Sequence, residues 1–450
     1  MTDLELAQKL VALAKKRGAD EAECLVERGR NASVKVRGGE IEDLTQATSK
    51  GAGLRVFVGG RLGFATTTDF TEGELPLFVD RALASAREAA PDERNGLPRG
   101  NAVKRHPEAP ALGVLWDPRV AEIDPAWKIA AAREMERAAR AEDPRVTKMD
   151  GASAGESVEE AAIASTHGLA GRHRSTSAWL SCSPVAEGGG QLQTSYWYDV
   201  KHALADLATP EFVGREAARR AARMLGARPV PSCNVPVIFD PLMAAGFVSG
   251  VAGAVNGDLV FKKASFLTGR LGQRIASPLL NLVDDGLRPG GLATSAFDGE
   301  GVAQQRTPIL EGGVLRHYLY DTYTAKKAGA KSTGNAARGY ASLPGIGTTN
   351  LTLERGTTAA AELVRGVKRG LYVTAMLGRG VNSVTGDYSR GANGLWIEDG
   401  AFAFPVQEVT VAGHLDAMLQ AVDAVGDDLV FLGSTGAPTL RFAELTVSGK

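Results

Sequence analysis

Hydrolytic metal centres need imidazole, thiolate or carboxylate donors at fixed spacing, and covalent catalysis needs a thiol or hydroxyl beside a base. The six histidines are His106, His167, His173, His202, His317 and His414, and none sits four or five residues from another. His167 and His173 are the nearest pair, but Gly168 and Gly171 between them read as a turn. Cys24, Cys182 and Cys233 form no Cys-x-x-Cys pair, so they are expected to be buried small hydrophobes rather than ligands or nucleophiles. Paired acids occur in Asp284-Asp285-Gly286, Asp298-Gly299-Glu300-Gly301 and Gly426-Asp427-Asp428. General acid–base work or Mg²⁺ binding is conceivable there, but Asp-Gly and Glu-Gly are also turn signals, and turns are expected. The polar loop Ser332–Tyr340 is no phosphate loop, because Lys331 precedes its glycines. Gly334, Asn335 and Arg338 are its candidates for contact with a peptide or partner. Gly378-Arg379-Gly380 and Gly386–Gly391 are similar in character, and Ser389 lacks the preceding glycine of a nucleophile elbow. Arg215, Arg219, Arg220 and Arg223 make a basic helix face, expected to be solvated.

The stretch Asp240–Asp258 is the most informative. Asp240-Pro241 is a helix start, and Gly246, Gly250, Gly253 and Gly257 fall on one stripe. Each interior Gly costs about 1 kcal/mol against Ala, so the stripe needs a reason. Close packing against another backbone is the preferred one, and a ligand or peptide lying on the bare face is the other.

The elements that must position these residues divide the chain in two. Thr2 and Glu5 form a capping box for a first helix with Leu6, Leu10, Leu13 and Ala14 on one face. Short alternating runs follow, with a hairpin signal at Gly59-Gly60 and a second helix from Thr71 to about Ala89. Residues 90–118 read as a long loop. Asp124-Pro125 and Thr209-Pro210 open two more helices, around strands at Val146–Ser153, Val158–Thr166 and Arg174–Ser181. After the Pro-rich boundary near 227–234 come short strands and Gly-rich turns, with helices only near 241–255, 321–328 and 357–369. The fold class is α+β in two domains: a mixed N-terminal domain, 1–226, and a β-rich, barrel- or sandwich-like C-terminal domain, 227–450. The 450 residues carry 51 Lys+Arg against 52 Asp+Glu, a net charge of -1, which supports neither nucleic-acid nor anionic-membrane binding. No run of about 18 apolar residues is present, and the acidic N-terminus lacks the look of a secretory signal, so a cytoplasmic location is expected.

Taken in order, several pieces resemble the TldD/PmbA family, specifically its PmbA (TldE) branch. They are Ala22–Arg28, Gly51-Ala52-Gly53-Leu54-Arg55-Val56, Asp298-Gly299-Glu300-Gly301, Gly312-Gly313-Val314-Leu315, Gly334-Asn335, Gly386-Asp387-Tyr388, and Pro438-Thr439-Leu440 through Gly449. The TldD branch carries His-Glu, three residues, then His on the helix equivalent to 241–255, with a Cys near the C-terminus as third zinc ligand. Anchored on Gly257-Asp258, those positions fall on Val248, Ser249 and Gly253, and Leu432–Gly436 occupies the Cys region. No His or Cys lies between 234 and 316 that a shifted alignment could use. The resemblance therefore implies no catalytic residue and no metal in this chain. It implies the non-catalytic half of a heterodimeric zinc metallopeptidase, with zinc in a TldD-like partner and unfolded or leader peptides as substrate. Two alternatives stand beside it: a homodimeric peptide-binding scaffold without protease activity, and an enzyme using the acidic turns.

Overall fold

The computed structural model describes residues 1–100, 109–378 and 380–449, so His106 and Arg379 lie outside the described residues. The N-terminal half begins with helix α1, Asp3–Lys16, closed by the expected Thr2–Glu5 capping box. Strands β1, Glu21–Arg37, and β2, Glu40–Val58, turn through Gly38-Gly39, and β3, Arg61–Thr67, follows Gly59-Gly60. All four turn glycines have positive φ, which a side chain disfavours. Helices α2, Glu74–Glu88, α3, Pro118–Ala121, and α4, Pro125–Glu142, precede strands β4, Val146–Ser165, β5, Ala170–Gly188, β6, Gln191–Thr194, and β7, Trp197–Lys201. Helix α5, Pro210–Ala222, ends this half.

The strands form one antiparallel sheet in the order β3-β2-β1-β4-β5-β6, with β7 also on β5. The period-two alternation of β1 explains how helices cover it. Its Ala22, Cys24 and Val26 lie under α1 and α2, while Val34 and Val36 on the same face lie under α4 and α5. On the opposite face Leu25, Ile163 and Leu169 meet Phe297 from the C-terminal half. One strand, β4, replaces the two expected at Val146–Ser153 and Val158–Thr166. Between those two stretches, at Gly155, the Trp179 ring lies against the strand backbone.

The C-terminal half opens with β8, Cys233–Phe239, helix α6, Pro241–Ala254, and the short α7, Gly257–Phe261. There follow β9, Leu282–Asp285, β10, Arg306–Glu311, β11, Val314–Leu315, α8, Thr322–Ala328, β12, Ala336–Ala337, β13, Gly345–Ile346, and β14, Leu351–Leu353. Next come α9, Ala360–Arg365, β15, Arg369–Leu377, β16, Asp387–Glu398, β17, Ala401–His414, and α10, Leu415–Gln420. The last strands are β18, Val422–Val425, β19, Val430–Phe431, β20, Thr435–Ala437, and β21, Leu440–Ser448. Neighbours pair in the order β17-β16-β15-β8-β21, and β17 pairs again with β21, so the ring closes into a barrel. A second sheet runs β11-β10-β9-β14-β20-β19. This is the α+β class with a β-rich second half; α7 and α10 are additions to the helices expected there.

Helix α6 lies between barrel and sheet. Phe247 packs edge-on against Phe239, Phe442 and Tyr388, with ring centroids 6.1, 5.3 and 6.1 Å away. Among the described residues no helix is long and apolar enough to cross a membrane.

Candidate functional site

The start of α6 is fixed by a buried carboxylate. Asp240 caps the helix by accepting from Met243 N at 2.9 Å, and Arg220 Nη2 on α5 donates to its other oxygen at 2.6 Å. Burial raises the Asp240 pKa against the pull of Arg220. The basic helix face is thus not uniformly solvated. Arg220 is buried on Asp240 and Arg223 is largely enclosed, while Arg215 and Arg219 remain exposed on Glu142.

On that helix Val248 turns inward, 3% exposed, among the side chains of Val251, Leu280, Leu310, Leu353 and Leu440. Ser249 and Gly253 turn outward and are exposed. Ser249 Oγ donates to Ala245 O at 2.9 Å and lies 3.5 Å from Thr435 Oγ1 on β20. The helix and the C-terminal stretch 432–436 are therefore brought together, as a shared metal site requires, but the groups that meet are hydroxyls. Neutral hydroxyls beside valine and glycine do not fit a zinc ion, which takes thiolate, imidazole or carboxylate. Among the described residues no cluster of three His, Cys, Asp or Glu could hold a metal.

The glycine stripe is not packed against another backbone as expected. A Cβ on Gly250 would meet the Val381 side chain at 3.0 Å, and one on Gly253 would meet Ser383 Oγ at 3.2 Å. Gly246 has nothing nearer than Arg390 Nη1 at 3.9 Å. Only Gly257, already in α7, sits tightly under Tyr320 and the Leu319 carbonyl. On the Gly face of α6 the side chains of Val381 and Ser383 thus lie against Gly250 and Gly253, and Gly246 is open.

Gly334, Asn335 and Arg338, expected at a peptide or partner contact, are placed inside the chain. Asn335 is 2% exposed and donates through Nδ2 to Asp284 Oδ2 at 2.6 Å and Gly347 O at 2.9 Å. Arg338 donates to Gly299 O at 2.6 Å and pairs with Glu23 on β1. Gly334 is buried at φ 72°. Their side chains are enclosed, and Asn335 Oδ1 is buried there without a hydrogen-bond partner.

Asp298–Gly301 is a turn as expected, whereas Asp284 and Asp285 end β9 and Asp427 is exposed; Asp284, Asp298 and Glu300 are buried. Asp298 Oδ1 accepts from Glu300 N and Val302 N at 2.8 and 2.9 Å, and Oδ2 accepts from Ala336 N at 3.0 Å. Glu300 accepts from Thr322 N at 2.8 Å and pairs with Arg55 of β2 at 2.9 Å. Arg55 also reaches Glu23 at 3.2 Å. Asp284 is 2% exposed, its pKa raised by burial despite the Asn335 and Thr349 donors. Sequence reasoning missed Arg55 and Glu23 as partners of these turns. The signal lay in the family-like segments themselves, since Ala22–Arg28, Gly51–Val56, Asp298–Gly301 and Gly334-Asn335 all converge on this junction between the halves. Gly53 is where the backbone of Tyr340 crosses β2, and a Cβ there would overlap the Tyr340 carbonyl oxygen. Gly53→Ala is expected to cost about 2 kcal/mol through overpacking, read as a lower urea midpoint.

The junction carries a pH dependence. Burial and the neighbouring Glu300 raise the Asp298 pKa, outweighing its three backbone donors. A raised acid contributes stability fully present below its unfolded pKa and lost as pH rises through the folded one. For Glu300 burial acts upward, but Arg55 and the Thr322 hydrogen bonds outweigh it and lower the pKa. Its contribution is lost only as pH falls below the ordinary 4.5. Of these two groups only Asp298 acts between about pH 5 and about pH 8, and the other shifted groups are common to both proteins, so the wild type should lose more stability than Asp298→Asn across that interval. Denaturant titrations of both proteins at several pH values read the difference in slope.

A two-layer N-terminal half joined through buried ion pairs to a barrel that carries a Gly-faced helix defines the class. The chain matches three family models in order: PmbA/TldA metallopeptidase domain 1 over residues 22–86, the central domain over 118–225, and the C-terminal domain over 232–449. It is 32% identical to Metalloprotease PmbA of Escherichia coli O157:H7, covering 96% of this chain and 93% of that one. It is 34% identical to the Metalloprotease PmbA homolog of Haemophilus influenzae, covering 98% and 94%. The fold is shared with the crystal structure of TldE from Thermococcus kodakarensis, at a TM-score of 0.90, 24% identity, and coverage of 99% and 100%. The chain belongs to the PmbA/TldD metallopeptidase family, on its PmbA (TldE) branch.

Proposed function

We propose that this chain is the non-catalytic subunit of a heterodimeric zinc metallopeptidase that cleaves unfolded or leader peptides, in the cytoplasm. The observation that carries the reading is the meeting of Ser249 with Thr435 beside inward-facing Val248. The helix and the C-terminal strand that would share a metal are apposed, and neither brings a zinc-binding side chain. Zinc would then belong to a related partner chain. That ion, in the partner, would activate the attacking water. This chain's part is to enclose and orient the peptide, and the exposed Gly246 and Gly253 on α6 offer an extended backbone a face that selects no side chains.

Metal analysis and peptide cleavage by the isolated chain test the reading. No stoichiometric zinc and no chelator-sensitive cleavage are expected alone, with cleavage appearing when a related chain carrying His-Glu, three residues, His is added. Tight stoichiometric zinc with chelator-sensitive cleavage by the isolated chain overturns it.

A further inference from the structure

Strand β5 has neighbours on both sides along only part of its length. β4 accompanies it from Ala170 to Ala186, whereas β7 reaches only Ala178–Cys182 and β6 only Val185–Gly188. At Thr176 the N–H donates to Leu115 O at 3.0 Å and the carbonyl faces His202 Nδ1 at 2.6 Å, so both groups point away from β4. The β4–β5 register runs unbroken from Ser183 to Ala170. By alternation the N–H and C=O of Arg174, Arg172 and Ala170 point outward as well. Among the described residues no hydrogen bond is made to them on that side. An open edge of this kind is a template for another strand.

Room for one is present. Ala170–Arg174 lines a cavity of about 1030 Å³, which Leu112–Trp116 and Met1–Leu4 also line. Its size is at the upper end for ligand sites. The segment from Leu112 is tied at Leu112 O, which accepts from Gly290 N at 2.8 Å, and again at Leu115 O on Thr176. It passes the edge without pairing along it. The side chains give the edge a sign. Arg172 and Arg174 stand two residues apart on one face, and both are exposed. Among the described residues neither is ion-paired: Arg174 lies over the Trp116 ring at 4.7 Å, and Arg172 reaches Thr2 Oγ1 at 3.4 Å. Nearby acids are engaged or shared. Arg28 holds Asp3, Thr2 holds Glu5, and Glu160 stands across the strands between Arg28 and Arg174. On the other face Gly171 lies against the Phe297 ring, beside His173.

We propose that this edge binds an extended peptide segment carrying two acidic residues separated by one uncharged residue, added antiparallel to β5. Antiparallel addition is the slightly more stable pairing, and it sets the two acids directly opposite Arg172 and Arg174. Because those arginines are not hydrogen-bonded to their β4 partners, each acid exchanges both backbone bonds with the arginine it faces. The uncharged residue between them turns its side chain to the other face, opposite His173, and its N–H away from β5. Backbone pairing then supplies affinity and the two arginines supply selection. The edge is separate from α6, and binding to this chain alone measures it, so it does not depend on whether a zinc-bearing partner exists.

Fluorescence anisotropy with the full chain and short labelled peptides tests the site. The probe is an otherwise neutral, unstructured peptide with Asp-Ala-Asp at its centre. Replacing that core by Lys-Ala-Lys is expected to weaken binding about tenfold, the sum of two reversed cross-strand pairs. N-methylation of both Asp residues should also weaken it about tenfold by removing two backbone donors, whereas N-methylation of the central Ala should change little. The double variant Arg172→Glu, Arg174→Glu should reverse the preference toward Lys-Ala-Lys, with little change in the thermal melt because both positions are exposed. Absence of binding, or equal binding of the Asp and Lys peptides, overturns the proposal. So does equal loss from the two methylation patterns, which would mean contact with the arginines without strand addition. Retention of the Asp preference by the double variant would place the peptide elsewhere and overturn it too.

Discussion

Replacing Arg55 by Ala is expected to lower the stability of the chain by about 3–5 kcal/mol, the cost of leaving buried carboxylates without their countercharge. Arg55 bridges Glu23 on β1 and Glu300 in the C-terminal half, at 3.2 and 2.9 Å, and all three are buried. Glu23 would keep Arg338, but Glu300 would be left with Thr322, which carries no charge. The cluster is not saturated even in the wild type, because Glu23 Oε2 and Arg55 Nε have no hydrogen-bond partner. Arg55→Lys retains the charge but replaces a planar fork with a single ammonium, which serves two separated carboxylates poorly, so an intermediate loss is expected. Urea denaturation followed by both far-UV circular dichroism and tryptophan fluorescence reads the result. A loss below about 1 kcal/mol for Arg55→Ala would place the joint between the halves elsewhere, since exposed pairs are worth no more than that.

How much of this was legible in the sequence depends on the range of the interaction that sets it. The Thr2–Glu5 box, the Asp240-Pro241 helix start and the Gly59-Gly60 hairpin are local, and each appears where the residue types put it. The segment Glu40–Lys50 carries little apolar alternation and shows no strand signal of its own; it is a strand because Gly38-Gly39 folds it back along β1. Asp298–Gly301 was readable as a turn from Asp-Gly and Glu-Gly. Its burial was not, since Arg55 and Arg338 reach it from distant parts of the chain. Asn335 and Arg338 looked like contact residues because polar side chains in a Gly-rich loop are commonly exposed. Here the loop lies across β2, where Gly51 and Gly53 leave room for Tyr340. On α6 the glycine stripe was legible as a bare face, but its neighbour was not, because Val381–Ser383 comes from a loop with no periodic pattern.

Val248→His is expected to destabilise the chain by about 3 kcal/mol and to bring no zinc, combining an unsatisfied buried imidazole with overpacking. Val248 is 3% exposed and surrounded by leucine and valine side chains, with no polar group there for a ring nitrogen. Even the triple substitution Val248→His, Ser249→Glu, Gly253→His should not assemble a tight site. On the regular helix Pro241–Ala254, positions five apart point about 140° from each other, so one imidazole enters the core while the other faces outward. The third donor would have to come from Thr435, a hydroxyl. The barrier to a metal here is therefore helix orientation as well as residue identity, and no single substitution relieves both. Equilibrium dialysis with zinc, beside urea midpoints for the single and triple variants, separates the two contributions. Stoichiometric zinc on the triple variant with an unchanged midpoint would mean that α6 rotates or unwinds readily, and residue identity alone would then keep zinc from this chain.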